Sequence, residues 1–144
     1  ETALQEKEHA KRLFKFLDGG DAEIAAAFPA GVISDSYTNL VSSAAGENHE
    51  HTEMYPAFAQ VAEKEGFPEI ASVMRAIAVA EAFHERRFLK LAKEIKEGHV
   101  FVRETATKWR CRNCGCIVDA AEAPEFCPAC AHPRAYFEEL NFAF

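Results

Sequence analysis

The sequence lacks an excess of positive charge. Against 23 Asp and Glu residues there are only 16 Lys and Arg residues, which gives a formal net charge of −7. Since a nucleic-acid partner requires basic side chains that neutralise phosphates, this composition argues against nucleic-acid binding. Long apolar runs are also missing, because none approaches the ~18 residues that span a bilayer. The polar, charged N-terminus does not resemble a secretory signal. We therefore expect neither a nucleic-acid nor a membrane partner.

Cysteine is scarce, but its spacing is informative. Four of the 5 cysteines form two Cys-x-x-Cys pairs, which are separated by 12 residues. The odd count and the paired spacing favour a metal site over disulfides and a reducing compartment over secretion, so we expect a cytoplasmic protein. The spacing predicts a tetrathiolate metal site. Its predicted ligands are Cys111, Cys114, Cys127 and Cys130. These residues alone leave open whether the metal is structural zinc or electron-carrying iron. The fifth thiol, Cys116, is expected to be a partly buried bystander.

Three segments are predicted to be long helices, at about 1–18, 35–65 and 68–97. Asp35 or Ser36 caps the start of the second helix, and Gly98 follows the end of the third. Pro56 lies inside the second helix, where it should kink the helix or loosen one backbone hydrogen bond. The connection over 18–35 is long, which suits a crossover along a helical bundle.

Beyond the third helix the composition changes. Residues 99–108 look extended and linker-like, and residues 109–144 are rich in Cys, Pro and aromatic side chains. So short a segment seldom folds on a hydrophobic core alone, and a metal is expected to hold it together. Four aromatic side chains are predicted to cover the cysteine turns: Trp109, Tyr136, Phe137 and Phe142. The predicted organisation is a mainly α bundle over 1–98, a linker over 99–108 and a small β-rich metal domain over 109–144.

Acidic side chains interrupt the predicted apolar face of each helix. Residues spaced by three, four and seven positions share one face of a helix. In the second helix this face consists of Leu40, Ala44, Met54, Phe58 and Val61. In the third helix it consists of Ile70, Val73, Ile77, Phe88, Leu91 and Ile95. Glu47 lies within the first of these series, and Glu81 with His84 completes the second. In the first helix Glu6 and His9 precede an apolar side of Leu13, Phe16 and Leu17.

This pattern predicts a buried metal centre. Burying an unpaired carboxylate costs on the order of several kcal/mol, so such a layer requires a neutralising cation. Carboxylate oxygen and imidazole nitrogen suit iron or manganese, and two Glu-x-x-His helices are typical of carboxylate di-metal bundles. The predicted ligands are Glu6, His9, Glu47, Glu50, Glu81 and His84. His51 is expected to pack beside the site rather than to bind metal. Acids off the apolar faces are expected to be solvated: Glu8, Glu53, Glu63 and Glu85.

Together these features resemble the rubrerythrin family over essentially the whole chain. The resemblance is carried by "EKEHAKRLF", "AAGENHEHTEMYP", "AVAEAFHERRF", "KWRCRNCG" and "CPACAHP". It implies a ferritin-like di-iron bundle followed by a rubredoxin-like domain. The implied cofactors are an oxo-bridged di-iron centre and a mononuclear iron tetrathiolate, in which zinc can take the place of iron.

The resemblance also implies an activity. Family members are non-haem peroxidases that reduce hydrogen peroxide to water, in defence against oxidative stress, with electrons passed through the rubredoxin-type iron. The expected electron donor is rubredoxin or an NAD(P)H-dependent reductase, so the enzyme is indirectly NAD(P)H-linked.

Individual roles follow from the resemblance as well. Glu6 and Glu81 correspond to bridging carboxylates of the di-iron centre. Glu47 and His84 correspond to ligands of one iron.

At the other iron the family exchanges Glu50 for His9 as the redox state changes. Tyr55 corresponds to a tyrosine close to the centre, where it is expected to donate a hydrogen bond. The expected catalytic residues are therefore Glu50, His9 and Tyr55. The family has a further preceding helix with one more glutamate, for which this chain shows no counterpart. We expect either that this bundle is truncated at its N-terminus or that an equivalent helix comes from another chain. A homodimer or higher oligomer is expected to cover the gap, with helix exchange between subunits as one route.

Two other functions fit parts of the sequence. A ferroxidase or iron-handling ferritin-like protein would use the carboxylate layer alone, but storage of iron needs no tetrathiolate electron carrier. A scaffold with zinc in both sites would use the same ligands without redox chemistry.

Overall fold

We analysed a computed structural model, which describes residues 1–21 and 23–140. The described residues divide into two compact units, the first spanning Glu1–Ala92 and the second beginning at Lys93. The first is helical and the second contains a small β-sheet. The predicted fold class, a mainly α bundle followed by a β-rich metal domain, is confirmed. Phe142, which was predicted to cover a cysteine turn, lies outside the described residues.

The described part of the first unit contains four α-helices, the last of which ends just after the unit boundary: α1 (Thr2–Phe14), α2 (Ser36–His49), α3 (Tyr55–Lys64) and α4 (Pro68–Lys96). A short π-helical segment, Glu50–Met54, joins α2 to α3, so that the predicted second helix is one continuous helical path. Between α1 and α2, the described residues contain no helix or strand. No helix in the described part of the chain is long and apolar enough to cross a bilayer.

Side-chain and glycine caps define the ends of these helices. The Asp35 carboxylate accepts a hydrogen bond of 3.0 Å from the Thr38 N–H at the start of α2, as predicted for an N-cap. After α4, Gly98 adopts a positive φ of 73°. This conformation lets the His99 N–H reach back to the Glu94 carbonyl at 2.8 Å, which is the pattern of a glycine-terminated helix.

The π-helical segment overturns part of the predicted apolar face. In α3 the buried residues are Tyr55, Ala59 and Ala62, whereas Phe58 and Val61 are 49% and 50% exposed. Each buried residue lies one position after a residue of the predicted apolar face. The shift arises because a π turn accommodates one residue more than an α-helical turn. The Tyr55 N–H indeed bonds the Glu50 carbonyl, five residues back. The prediction that Met54, Phe58 and Val61 form the core was therefore wrong.

Pro56 explains why the helix is interrupted there. It occupies the first turn of α3, and it has no N–H to donate to the carbonyl four residues earlier. The Thr52 hydroxyl also donates to the Asn48 carbonyl, at 2.6 Å, in the same stretch. The prediction that Pro56 loosens the backbone ladder agrees with this geometry.

The second unit is built on a three-stranded antiparallel sheet within the described residues. Its strands are β1 (Val102–Cys111), β2 (Ile117–Glu122) and β3 (Phe137–Glu139), in the order β2-β1-β3. Residues 102–108 had been predicted to belong to a linker; they are extended, but they form the first part of β1. Their pairing with β2 is irregular between Val102 and Thr107. An irregularly paired, mostly exposed strand segment has no alternating apolar pattern that the sequence could reveal.

The core of the second unit lies against the cysteines. Trp109, Cys111, Ala123, Cys127 and Phe137 form one buried cluster, and the Trp109 indole N–H donates to the Ala120 carbonyl at 3.0 Å. Trp109 and Phe137 thus cover the cysteine turns as predicted.

Tyr136 does not join that core. It is 42% exposed, and its ring meets the edge of the His132 ring at a centroid distance of 4.6 Å. The aromatic ring therefore packs at the surface, contrary to the prediction.

Candidate metal centres

Three helices bring acidic and imidazole side chains to one place in the first unit. Glu6 and His9 come from α1, Glu47 from α2, and Glu81 and His84 from α4. In α2 and α4 these residues lie on the apolar face of the helix, so burial follows from the helical period, whereas α1 has no buried residue. Glu81 is fully buried, and Glu47 and His84 are nearly so.

Their polar atoms converge closely. One ligand atom from each of Glu6, Glu47, Glu81 and His84 lies within 4.8 Å of all the others. His84 Nδ1 is 2.8 Å from a Glu6 oxygen, 2.9 Å from a Glu81 oxygen and 3.5 Å from a Glu47 oxygen. His9 Nδ1 lies 3.1 Å from the other Glu81 oxygen and 3.3 Å from Glu6. Carboxylates from three helices are therefore arranged around two imidazoles.

Several of these buried atoms lack a hydrogen-bond partner among the described residues. They are Glu6 Oε1, Glu47 Oε2, both Glu81 oxygens and His84 Nδ1. The His84 contacts are short but do not have hydrogen-bond geometry, whereas His84 Nε2 lies 3.1 Å from the Gln5 amide oxygen. As placed, Nε2–H donates to Gln5 and the Nδ1 lone pair faces the carboxylates. Facing lone pairs without a shared proton suit a cation, so the residues fit a metal centre.

Charge repulsion within the cluster has the same implication. Burial, followed by the charges of Glu6 and Glu50, raises the pKa of Glu47 to about 7. Burial, followed by Glu6 and Glu47, raises the pKa of Glu81 to about 8. Without a cation these two carboxyl groups thus hold protons near neutral pH, and positive ions would release those protons.

Glu50 and Tyr55 lie at the margin of this cluster. Glu50 opens the π-helical segment, and burial, then the charge of Glu6, raises its pKa. Tyr55 is buried; burial and then the charges of Glu81 and Glu50 raise the pKa of its phenol. The structure therefore places both residues in the field of the carboxylates. Four of the six predicted ligands, Glu6, Glu47, Glu81 and His84, form the group whose ligand atoms converge. The other two, Glu50 and His9, are outside that group.

A second layer of polar contacts lies beside the cluster. His51 Nε2 is 2.7 Å from one Glu85 oxygen, and the Asn48 amide donates to the other at 3.0 Å. His51 is thus packed beside the site, as predicted. Glu85, however, was predicted to be solvated, and it is instead mostly buried and paired from both sides. The helical period places Glu85 off the apolar face, and the sequence gives no signal of its partners on α2 and in the π-helical segment.

The four predicted cysteines meet in the second unit. Their sulfurs lie within 4.8 Å of one another, with Cys111 and Cys130 at 3.7 Å and Cys114 and Cys127 at 3.6 Å. All five cysteines lie in the described residues and none is in a disulfide. Sulfurs at these separations are too far apart for a covalent bond, and they suit a tetrahedral tetrathiolate.

Backbone N–H groups stabilise thiolates at this site. The N–H of His132 is the main reason that the pKa of Cys130 is lowered to about 6, and the Asn113 amide donates to the same sulfur at 3.5 Å. Gly115, at a φ of 78°, closes the first turn through its N–H to the Cys111 carbonyl. The fifth thiol, Cys116, is partly buried against the core, and burial raises its pKa. The expectation of a partly buried bystander agrees with this placement.

A helical unit with a carboxylate–histidine cluster of the di-iron type, joined to a four-cysteine rubredoxin-like unit, defines a class of iron proteins. The Rubrerythrin family profile matches residues 1–92, and the profile of the rubredoxin-like domain of rubrerythrin matches residues 109–138. The chain belongs to the rubrerythrin family. The predicted family and the predicted cofactor types, a di-iron centre and a rubredoxin-like tetrathiolate, are confirmed at this level.

Individual relatives give the same result. The chain is 68% identical to rubrerythrin of Nitratidesulfovibrio vulgaris over 141 residues, which cover 98% of this chain and 74% of that protein. It is 58% identical to rubrerythrin of Porphyromonas gingivalis, with 98% and 70% covered. Among solved structures, nigerythrin in its fully reduced, all-ferrous state aligns with a TM-score of 0.50 and 28% identity, covering 92% of this chain and 62% of that one.

Proposed function

We propose that the protein is a non-haem di-iron peroxidase that reduces hydrogen peroxide to water. The observation that carries the proposal is the buried group of Glu6, Glu47, Glu81 and His84, whose oxygen and nitrogen atoms face one another without hydrogen-bond partners among the described residues. Such a group fits two cations, and the same chain carries a tetrathiolate that suits one-electron transfer. Kinship with a nigerythrin in an all-ferrous state supports iron over zinc in both positions.

The ligand roles that we propose follow the contacts. Glu6 and Glu81 each approach both imidazoles, which supports the proposal that their carboxylates would be shared between two ions. Glu47 and His84 would hold one ion, and His9 or Glu50 would complete the other. Iron bound there would supply a Lewis acid and a source of electrons for cleavage of the peroxide O–O bond.

The remaining residues would manage protons and water. The phenol of Tyr55 stays protonated, because burial and the nearby carboxylates raise its pKa. It would therefore be available as a hydrogen-bond donor to the peroxide substrate. Glu47 and Glu81 would lose their protons when iron binds, so their raised pKa values belong to the metal-free cluster. We propose rubredoxin or an NAD(P)H-dependent reductase as the electron donor to the tetrathiolate of Cys111, Cys114, Cys127 and Cys130.

Rapid mixing tests the activity. The iron-loaded protein is reduced without oxygen, mixed with hydrogen peroxide in a stopped-flow instrument, and followed by visible absorption of both iron centres. We expect both centres to be re-oxidised far faster than free ferrous iron is. Rates equal to those of free ferrous iron would contradict a peroxidase. Fast oxidation by dioxygen with iron accumulating in large assemblies would favour iron storage instead.

A further inference from the structure

Three side chains beside the metal cluster form a link between two helical segments. Glu85 on α4 accepts a hydrogen bond of 3.0 Å from the Asn48 amide through one oxygen. Its other oxygen lies 2.7 Å from His51 Nε2 in the π-helical segment. We call these three residues the clamp. It joins α4 to the chain on both sides of Glu50.

The order of the residues along the chain gives the clamp its position. Asn48 follows Glu47, His51 follows Glu50, and Glu85 follows His84. Every clamp residue thus comes directly after a proposed metal ligand. Because successive side chains of a helix point about 100° apart, the clamp forms a second layer next to the ligand layer. A displacement of the clamp would rotate the ligands with it.

Glu50 is the ligand that most needs such support. It opens a π-helical segment, and π turns are rare because their geometry is less favourable than that of an α-helix. Glu47 lies in regular α2, and Glu81 and His84 lie inside the 29-residue helix α4, so their backbone is held by the helix itself. Glu50 lies where α2 passes into the π-helical segment: its N–H bonds the Gly46 carbonyl, whereas its own carbonyl accepts from the Tyr55 N–H, five residues later.

We propose that Glu85 is a positioning residue, whose two hydrogen bonds to Asn48 and His51 fix the π-helical segment so that Glu50 reaches the second metal ion. This inference rests on the proposed ligand role of Glu50. Glu85 is not a member of the group of four whose ligand atoms converge. Its effect is transmitted through the backbone of residues 48–51.

A double-mutant cycle tests the proposal. The variants are Glu85→Gln, Glu50→Ala and the double variant, and glutamine is chosen because it keeps the shape but can satisfy only one of the two donors of the clamp. The matched control is Glu53→Gln, which makes the same change at an exposed carboxylate 3.5 Å from His49, in the same π-helical segment. The full chain is given one equivalent of Zn²⁺ for its cysteines and is then titrated with Co²⁺, against a competing chelator and with visible spectroscopy.

We expect Glu85→Gln to weaken one of two Co²⁺ equivalents about tenfold, as is usual for residues that orient a ligand, and to alter its visible bands. Glu50→Ala should weaken the same equivalent, and the double variant should bind no more weakly than Glu50→Ala alone. The control should bind like wild type. Equal weakening of both equivalents, or effects of the two substitutions that multiply, would overturn the positioning role. If Glu50→Ala leaves the affinity for both Co²⁺ equivalents unchanged, Glu50 is not a metal ligand. That result would contradict the proposed ligand set, and it is distinguishable from a failure of the positioning role of Glu85. Far-UV circular dichroism checks that each variant is folded.

Discussion

Glu47 and Tyr55 are both buried beside the same cluster, although eight residues separate them along one helical path. In an uninterrupted α-helix, eight residues advance about 80° beyond two full turns. The two side chains share a face because the π-helical segment between them, Glu50–Met54, accommodates an extra residue. The interruption thereby determines which residues of α3 face inward.

Substitutions in α3 can distinguish the two registers. We expect Phe58→Ala to lower the free energy of unfolding by less than about 1.5 kcal/mol, because half of the side chain is already exposed. Ala59→Leu should lower it by about 1–3 kcal/mol, because Ala59 is fully buried and the added atoms overpack the interior. Urea unfolding followed by circular dichroism measures both. The uninterrupted register predicts the reverse order, with a loss of about 3–5 kcal/mol for Phe58→Ala.

The metal-free protein should lose stability as the pH rises. Glu47 and Glu81 have pKa values of about 7 and about 8 in the folded chain, above their ordinary value of 4.5. The folded state therefore binds protons more tightly than the unfolded state. The stabilisation from these two protons is complete below the unfolded pKa, and it is lost as the pH rises through the pKa values of the folded chain. Since one pKa unit corresponds to about 1.4 kcal/mol, we expect urea unfolding to give a free energy lower by a few kcal/mol at about pH 8.5 than at about pH 5.5.

Three comparisons check the origin of that pH dependence. Glu81→Gln should remove a large part of it, and saturation with Fe²⁺ or Mn²⁺ should reverse it, since the cation replaces the protons. The exposed carboxylate variant Glu53→Gln should retain the wild-type slope. A metal-free wild type that is equally stable at both pH values would contradict the burial of charged carboxylates.

Trp109 reports on the cysteine site. It is the only tryptophan of the chain, and it is fully buried in the cluster that includes Cys111 and Cys127. We expect Cys127→Ser to abolish tight metal binding and to shift the Trp109 emission to the red, because a unit of this size depends on its metal. Cys116→Ser should change neither the metal content nor the emission. An unshifted emission in metal-free Cys127→Ser would show that the sheet folds without its ion.

Tyr55 should resist ionisation in alkali. Burial and then the charges of Glu81 and Glu50 raise its pKa above the ordinary value of 10. As the pH rises through about 10, the ultraviolet absorbance change at 295 nm should therefore be the same in wild type and Tyr55→Phe while both remain folded. A smaller amplitude in Tyr55→Phe over that range would mean that the phenol is accessible and unperturbed. In the peroxidase assay we expect the same variant to be slower, because it lacks the proposed hydrogen-bond donor.

The helical period and the cysteine spacing predicted correctly those features of the two sites that depend on residues close together in the chain. The helical period turns Glu47 and Glu81 inward, and the structure buries both. The spacing of the cysteines predicts that two turns meet, and their sulfurs converge. What the sequence could not reveal depends on contacts between distant segments. The pairing of Glu85 with His51 joins residues 34 positions apart, and Gln5 meets His84 across 79 positions. A period read along one helix carries no information about such partners.

The predictions for the start of β1 and for the buried face of α3 were wrong for a different reason. Both depend on backbone hydrogen bonding that departs from the regular pattern, in an irregular strand pair and in a π turn. Pro56 signals a disturbance of the helix, but not that an extra residue is accommodated instead of a kink. The affected predictions are those for Met54, Phe58 and Val61.

Alanines make up the buried apolar cluster where α3 meets the start of α4: Ala59, Ala62 and Ala71. Methyl groups remove little surface from water, so this contact contributes only a small part of the cohesion of the helices. Since the folded state depends on neutralisation of its buried carboxylates by metal ions, the lifetime of the protein should depend on the supply of metal in the cell. When metal is scarce, we expect more molecules to unfold and to be degraded by proteases, so that the amount of the protein would decline with the supply of its metal.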